Sequence, residues 1–285
     1  MKKTVDSIAF QGDHGAYQEL ACLKHFPNYT TFACKSFEDV FLNVENSKVK
    51  LGMIPIENSY VGRVSEIHNL LQRTQLHITG EYFFKINHCL ATIESSNLEK
   101  IKTVISHPMA LMQCHNKINS YGLEISNEIN TAIAAKKLHN NPKSDIAVIC
   151  SEVACKLYNL KILQRNFQDD DNNYTHFVTI AKNPVIISSN VNAVGTILFE
   201  LRNQSSALYE VLGLFAKTDI NITKIESYIP GGISENAKFL LSFEGNRHAD
   251  NIIEILENLT RICRYTKTLG FYKAAQIRLQ KELIY

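Results

Sequence analysis

Apolar residues recur along this chain in short blocks. Each block breaks into small or polar residues just before a stretch of helical spacing. Residues 7–11 read as a strand that ends in Gly12-Asp13-His14-Gly15-Ala16, ahead of a helix over 18–25. Ser36, with Asp39 three positions on, resembles a capping box and opens a helix to Asn46. The stretch LGMIPIENS, residues 51–59, is an apolar strand that breaks at Glu57-Asn58-Ser59. Gly62 and Arg63 follow, then a helix to Leu71. Two apolar stretches lie between 75 and 93.

The same rhythm continues. A strand at 101–105 ends in Ser106-His107-Pro108, and a proline at a first helical position suits a helix through to Ser120. Asn130-Thr131 caps a helix over 132–138. An apolar strand at 146–150 leads into Ser151-Glu152 and a helix to Leu157, followed by an apolar run at 160–163. Five junctions therefore end at Gly12, Asn58, Ser106, Thr131 and Ser151. Helix N-termini carry unpaired N–H groups and partial positive charge, so several facing one crevice make a site for a small anion. The stretch NNYTHFVTI, 172–180, enters from a polar loop and alternates from Tyr174 onward. It predicts a half-buried strand with the Thr175 hydroxyl at its mouth.

Beyond residue 183 the pattern changes. NPVIISSNVN reads as a linker. Then come a strand at 195–201, a helix at 207–218, a strand at 221–228, a turn at Pro230-Gly231-Gly232, a strand at 238–244, a helix at 250–260 and a strand at 267–272. This βαββαβ order is the ferredoxin-like unit. A unit of that size is expected to pair with another copy.

A length of 285 residues suits two domains, and 45% hydrophobic with 20% charged residues is ordinary for a globular chain. A net charge of +2 disfavours nucleic acid as a partner. MKKTVDSIAFQG lacks the apolar run of a signal peptide, and no window approaches a membrane span, so the expected location is cytoplasmic with no membrane partner. Seven cysteines without a CxxC pair point to buried free thiols rather than disulfides or zinc.

The ordered set IAFQGDHGAY, GMIPIENSYVGRV, ISHPMALMQC, SEVACKLYNL, NNYTHF, LRNQSSALYEVLGLFA and NITKIESY resembles bacterial prephenate dehydratases that carry a C-terminal ACT domain. The resemblance covers essentially the whole chain. It implies an α/β fold: a bilobed catalytic domain like type II periplasmic binding proteins, followed by an α+β ferredoxin-like ACT domain. The catalytic domain would span 1–183, with crossings between lobes near 80–93 and 163–176. The linker would be 184–193 and the ACT domain 194–285. The implied reaction is the decarboxylating dehydration of prephenate to phenylpyruvate, with no metal, nicotinamide or flavin. The implied regulator is L-phenylalanine, and the implied assembly a homodimer or homotetramer. Arogenate is an alternative substrate, and an amino-acid sensor without catalysis is an alternative of another class.

Carried over position by position, the resemblance places Thr175 as the hydrogen-bond donor to the leaving oxygen, with Asn58, Ser59 and His176 beside it. It places Gly62, Ser106, His107, Pro108 and Gln113 in the cleft, and the loop and helix-start pattern adds Gly15, Ala16, Arg63 and Thr131 to the expected substrate-binding residues. The resemblance also places Asn203, Ser206, Ala207, Leu208, Glu226 and Ser227 in a phenylalanine pocket. His176 stands where the family has Arg. Imidazole grips a carboxylate less well than guanidinium and is only partly charged near neutral pH, so the implied effect is weaker or pH-dependent activity, with Arg63 the candidate to replace the lost charge. Ala16 and Gln18 replace hydroxyl residues, which leaves the first loop to hold substrate through backbone N–H groups. The family's Gly-Ala-Leu reads Ser206-Ala207-Leu208, and its Glu-Ser-Arg-Pro reads Glu226-Ser227-Tyr228-Ile229 with Pro230 one place later. By the residues alone, His107 is equally a helix cap, His14 an exposed loop residue, and Glu226-Ser227 a strand end.

Overall fold

The structure is a computed structural model and describes residues 6–228 and 237–279. The expected turn at Pro230-Gly231-Gly232, Ile229 and the first five residues lie outside the described residues. In chain order the strands are β1 (Ser7–Gln11), β2 (Thr30–Cys34), β3 (Leu51–Asn58), β4 (Gly62–Arg63), β5 (His77–Lys85), β6 (Cys89–Thr92), β7 (Thr103–Ser106) and β8 (Glu124–Asn127). They continue with β9 (Ile146–Cys150), β10 (Lys161–Arg165), β11 (Tyr174–Ala181), β12 (Ala193–Glu200), β13 (Ile222–Tyr228), β14 (Lys238–Glu244) and β15 (Tyr265–Lys273). The helices are α1 (Tyr17–His25), α2 (Phe37–Glu45), α3 (Ser65–Arg73), α4 (Pro108–Gln113), α5 (His115–Ser120), α6 (Thr131–Asn140), α7 (Glu152–Leu157), α8 (Ala207–Ala216), α9 (Asp250–Ile262) and α10 (Gln276–Leu279). The chain is mixed α/β, as the strand–loop–helix rhythm predicts.

Three sheets form, ordered β2-β1-β3-β11-β5 with β4 on β3, β10-β6-β9-β7-β8, and β13-β14-β12-β15. The chain divides into two compact units. One holds 1–43, 52–64 and 82–177; the other holds 44–51, 65–81 and 178–285. In the first, β1 runs parallel to β2, and β7 runs parallel to both β8 and β9. Two apolar clusters fill the second sheet's surroundings: Leu90, Val104, Ala147, Ile149 and Phe167 with α4 and α5, and Ala91, Val148 and Cys150 with α6 and α7. Their burial follows the near-continuous apolar runs of a sheet covered on both faces. All seven cysteines are buried thiols. Among the described residues no helix is long and apolar enough to cross a membrane.

In the second unit, β12 pairs antiparallel with β14 and β15, and β13 with β14. Strands β12–β15 with α8 and α9 realise the βαββαβ order. Phe199, Phe243 and Phe271 on the sheet pack against Val211 and Phe215 of α8 and Ile252, Ile255 and Leu259 of α9.

Two strands escape the apolar pattern because they bury so little. β8 is exposed at all four residues, and β2 buries only Cys34. The helix expected over 108–120 is two helices, broken at Cys114, whose φ of −118° leaves the helical range.

Candidate active site

Asn58 ends β3, the point where the apolar run gives way to polar residues. Its Oδ1 accepts from the backbone N–H of Tyr60 (3.0 Å) and Val61 (3.2 Å), an Asx-type turn of the kind that follows strand ends. That fixes which end of the amide faces which way. Its Nδ2 therefore points at β11 and donates to Asn173 Oδ1 (2.9 Å), the Tyr174 carbonyl (3.1 Å) and Thr175 Oγ1 (3.0 Å). Ser59 completes the junction. Its Oγ donates to the Asn172 carbonyl at 2.8 Å and accepts from Tyr174 N at 2.9 Å, and its own N–H donates to the Tyr174 carbonyl. Gln113, buried at the end of α4, donates to Asn58 Oδ1 at 3.2 Å. So Thr175, Asn58, Ser59 and Gln113 are brought together.

Since Asn58 donates to Thr175 Oγ1, the hydroxyl hydrogen of Thr175 is not spent on that bond. It is available to an oxygen on its other side. Asn173 adds a second free donor: it is 2% exposed, and its Nδ2 has no hydrogen-bond partner among the described residues. Buried donors are rarely left unpaired, so this one marks a polar spot a ligand can satisfy.

His176 is not brought to this cluster. Neighbours on a strand face opposite sides. Its ring is buried, stacked on Phe83 at 4.4 Å between centroids and 3° between planes. The imidazole therefore does not stand beside Thr175 as a direct replacement for a carboxylate-gripping guanidinium. Arg63 is exposed on β4, in register with Glu57.

The first loop also departs from expectation. Gly12 N–H donates to the Cys34 carbonyl, His14 N–H to Asp13 Oδ1, Gly15 N–H to Glu19 Oε2 and Ala16 N–H to the Asp13 carbonyl. These amides are already engaged inside the protein, so Gly15 and Ala16 do not present the free N–H cradle the residue pattern predicts. Gly15 is required for another reason. Its φ is +89°, and a Cβ there would meet Ala154 at 3.1 Å. Ser151 Oγ, which caps α7, donates to the Gly15 carbonyl, and Asn130, which caps α6, lies beside Gly12. The loop thus meets the N-terminal ends of α6 and α7, where Thr131 is the first helical residue. His14 Nδ1 lies 2.7 Å from Glu19 Oε1.

Ser106 Oγ donates to the Ile149 carbonyl at 2.5 Å, and His107 Nδ1 accepts from Met109 N at 3.2 Å as the cap of α4. Burial lowers the His107 pKa, which suits a neutral acceptor. Three residues escape the motif-based reading: Tyr17, His88 and Asn173. Only Asn173 has a local signal, since it sits two places before Thr175.

In the other unit a recess of about 320 Å³ forms at the start of α8, lined by Asn203, Ser206, Ala207 and Leu208 together with Tyr209 and Phe239. Glu226 and Ser227 are not part of its lining. Glu226 lies 2.6 Å from His68 Nε2 and 3.0 Å from Lys224 Nζ. Burial pushes the Glu226 carboxyl up, but those two partners outweigh it and hold the pKa at about 2.

Residues 8–185 match the family model described as prephenate dehydratase. The chain belongs to the prephenate dehydratase family. This is a family of hydro-lyases. The chain is 35% identical over 272 residues to the bifunctional N-acyl-homoserine lactone acylase/prephenate dehydratase of Komagataeibacter europaeus, covering 95% of this chain and 97% of that relative. It is 36% identical over 285 residues to arogenate dehydratase/prephenate dehydratase 1 of Arabidopsis thaliana, covering 95% of this chain and 73% of that relative. It shares its fold with a prephenate dehydratase of Arthrobacter aurescens solved in complex with L-Phe, at a TM-score of 0.87 and 23% identity, covering 95% of this chain and 90% of that chain.

Proposed function

We propose that this chain converts prephenate to phenylpyruvate, water and CO2, with Thr175 donating its hydroxyl hydrogen to the departing ring oxygen. The ring carboxylate leaves as CO2, its bonding electron pair aromatises the ring, and the C–O pair leaves with the hydroxyl oxygen, which takes up one proton. Threonine is a very weak acid, so its role is a preorganised hydrogen bond to developing charge, with the proton itself drawn from elsewhere. The observation that carries this reading is the Asn58 to Thr175 bond, which leaves the Thr175 hydrogen directed away from Asn58. The unpartnered Asn173 Nδ2 supports it.

The domain assignment follows: a two-lobed catalytic domain over 1–183, a linker over 184–193 and an ACT domain over 194–285 that pairs subunits into a homodimer or homotetramer. L-phenylalanine binds the recess at Asn203, Ser206, Ala207 and Leu208 and lowers activity. A recess of about 320 Å³ falls within the usual range for small ligands, ~300–1,000 Å³. The Arthrobacter relative with bound L-Phe supports that choice. Seven buried thiols suit a reducing cytoplasm.

The test is turnover by purified protein with prephenate and no added cofactor, read as the phenylpyruvate enolate absorbance in alkali. Arogenate is run in parallel, because one relative carries that activity in its name. Thr175→Ala is expected to lower kcat by roughly 10²–10³-fold with little change in KM. Binding of prephenate without turnover refutes the enzyme reading and favours a sensor. Unchanged kcat in Thr175→Ala removes the role of that hydroxyl.

A further inference from the structure

The hydrogen bonds around Thr175 do not stop at Gln113. His88 Nε2 lies 2.8 Å from Gln113 Oε1, and His88 Nδ1 lies 2.7 Å from the Tyr17 hydroxyl, which also reaches the Asn87 carbonyl at 2.8 Å. The rings of Tyr17 and His88 meet edge to face at 5.2 Å. Five side chains from positions 17, 58, 88, 113 and 175 thus form one continuous chain.

We propose that His88, with Tyr17 beside it, is a positioning residue that braces, through Gln113, the Asn58 amide which holds the Thr175 hydroxyl in place. The proposal rests on the reading of Thr175 as the donor to the leaving oxygen. The direction of each bond follows from its neighbours. Asn58 Oδ1 faces two backbone N–H groups, which can only donate, so the Gln113 atom beside it must donate as well. Gln113 therefore turns its oxygen to His88, and that oxygen can only accept. His88 must carry its hydrogen on Nε2.

Burial pushes the His88 pKa down to about 4, against a smaller opposing effect of Gln113, so the ring is neutral at neutral pH with a bare Nδ1. The Tyr17 hydroxyl then shares its hydrogen between Nδ1 and the Asn87 carbonyl. If the ring gains a proton, Nδ1 donates to Tyr17, Tyr17 donates to Asn87, and Nε2 still donates to Gln113. In both states the bonds from His88 Nε2 onward point toward Asn58 and Thr175, while the Tyr17–His88 bond reverses when the ring is charged. Only the neutral ring with hydrogen on Nδ1 breaks the chain at Gln113. It would set a bare Nε2 against Gln113 Oε1, two acceptors 2.8 Å apart. Gln113 Oε1 is what disfavours that tautomer, since the Tyr17 hydroxyl can either donate to Nδ1 or accept from it while donating to Asn87.

The test joins a spectrum and a rescue. ¹⁵N-histidine NMR of the wild-type protein, with the His88 signals located by their change in Tyr17→Phe, is expected to show the hydrogen on Nε2. A hydrogen on Nδ1 with a bare Nε2 overturns the proposal whatever the activity. In turnover of prephenate, His88→Leu removes the donor and is expected to lower kcat on the order of 10–100-fold with KM nearly unchanged. His88→Gln keeps an N–H near the place of Nε2 and is expected to retain kcat to within about threefold. Equal losses in the two variants, or a change in KM alone, also overturn it. If the wild-type protein shows no turnover, the function proposed above fails, while the tautomer still tests the His88–Gln113 bond.

Discussion

The substitution Asn58→Asp separates the hydrogen-bond direction from the fold, because the two side chains have the same shape. The Oδ1 end is untouched and keeps the Tyr60, Val61 and Gln113 donors. The other end changes from donor to acceptor. Asn173 can turn its amide and offer the Nδ2 that has no partner now, and the Tyr174 carbonyl keeps its bond from Ser59 N. The carboxylate oxygen then faces the Tyr174 carbonyl at about 3.1 Å with no hydrogen between them, so the expected stability loss is ~1–3 kcal/mol. The Thr175 hydroxyl, however, now donates to the introduced carboxylate and is lost to substrate. Losing such a donor costs roughly 10²–10³-fold in kcat, ~3–4 kcal/mol of barrier. Steady-state kinetics beside a thermal melt read the two effects separately. A variant with kcat within about threefold of wild type refutes the assigned direction of the Asn58–Thr175 bond.

Other expectations concern stability. Ser206 holds a φ of +67°, which a residue with a Cβ adopts at a cost of ~1–2 kcal/mol, so Ser206→Gly should raise the melting temperature; a lower one refutes the strain. A Cβ on Gly195 would sit 2.6 Å from the Phe243 ring and 2.7 Å from the Phe271 ring, so Gly195→Ala should lose ~1–3 kcal/mol in denaturant titration. Acid should weaken the fold in two overlapping windows. His88 is neutral when folded down to about 4 and titrates near 6.5 when unfolded, so its contribution is complete above 6.5 and falls by about 3 kcal/mol as pH drops to 4. The Glu226 contribution is present above 4.5 and is lost as pH falls toward 2. His88→Gln should flatten the first window, and an unchanged pH profile of stability in that variant contradicts the buried neutral ring.

The strand–loop–helix rhythm was readable because buried strands are apolar runs that stop abruptly at polar ends, as β3 does at Asn58. The βαββαβ unit was readable from the apolar positions of α9, whose spacing predicts one face of Ile252, Ile253, Leu256 and Leu259; the structure buries Ile252, Ile255 and Leu259 and leaves Ile253 exposed. β8 was not, since a strand exposed along its whole length leaves no alternation to detect. The pairing of Asn58 with Thr175 was reachable through motif resemblance. Tyr17 and His88 were not, because 71 residues separate them and each alone reads as an ordinary aromatic near a strand or helix end. The placement of His176 was open to inspection: it is one residue from Thr175 on a strand, and that parity turns the two to opposite faces. Ser206 shows the converse. Its left-handed backbone gives a physical reason for a glycine at this position, the residue the resemblance to an ACT domain implies there.

The most direct measurement is a crystal structure of the protein with a non-reacting prephenate analogue bound. The account predicts Thr175 Oγ1 within about 3 Å of the oxygen that stands for the departing hydroxyl, with Asn58 Nδ2 still donating to Thr175. An analogue bound elsewhere, or with that oxygen beyond hydrogen-bond reach of Thr175, contradicts it.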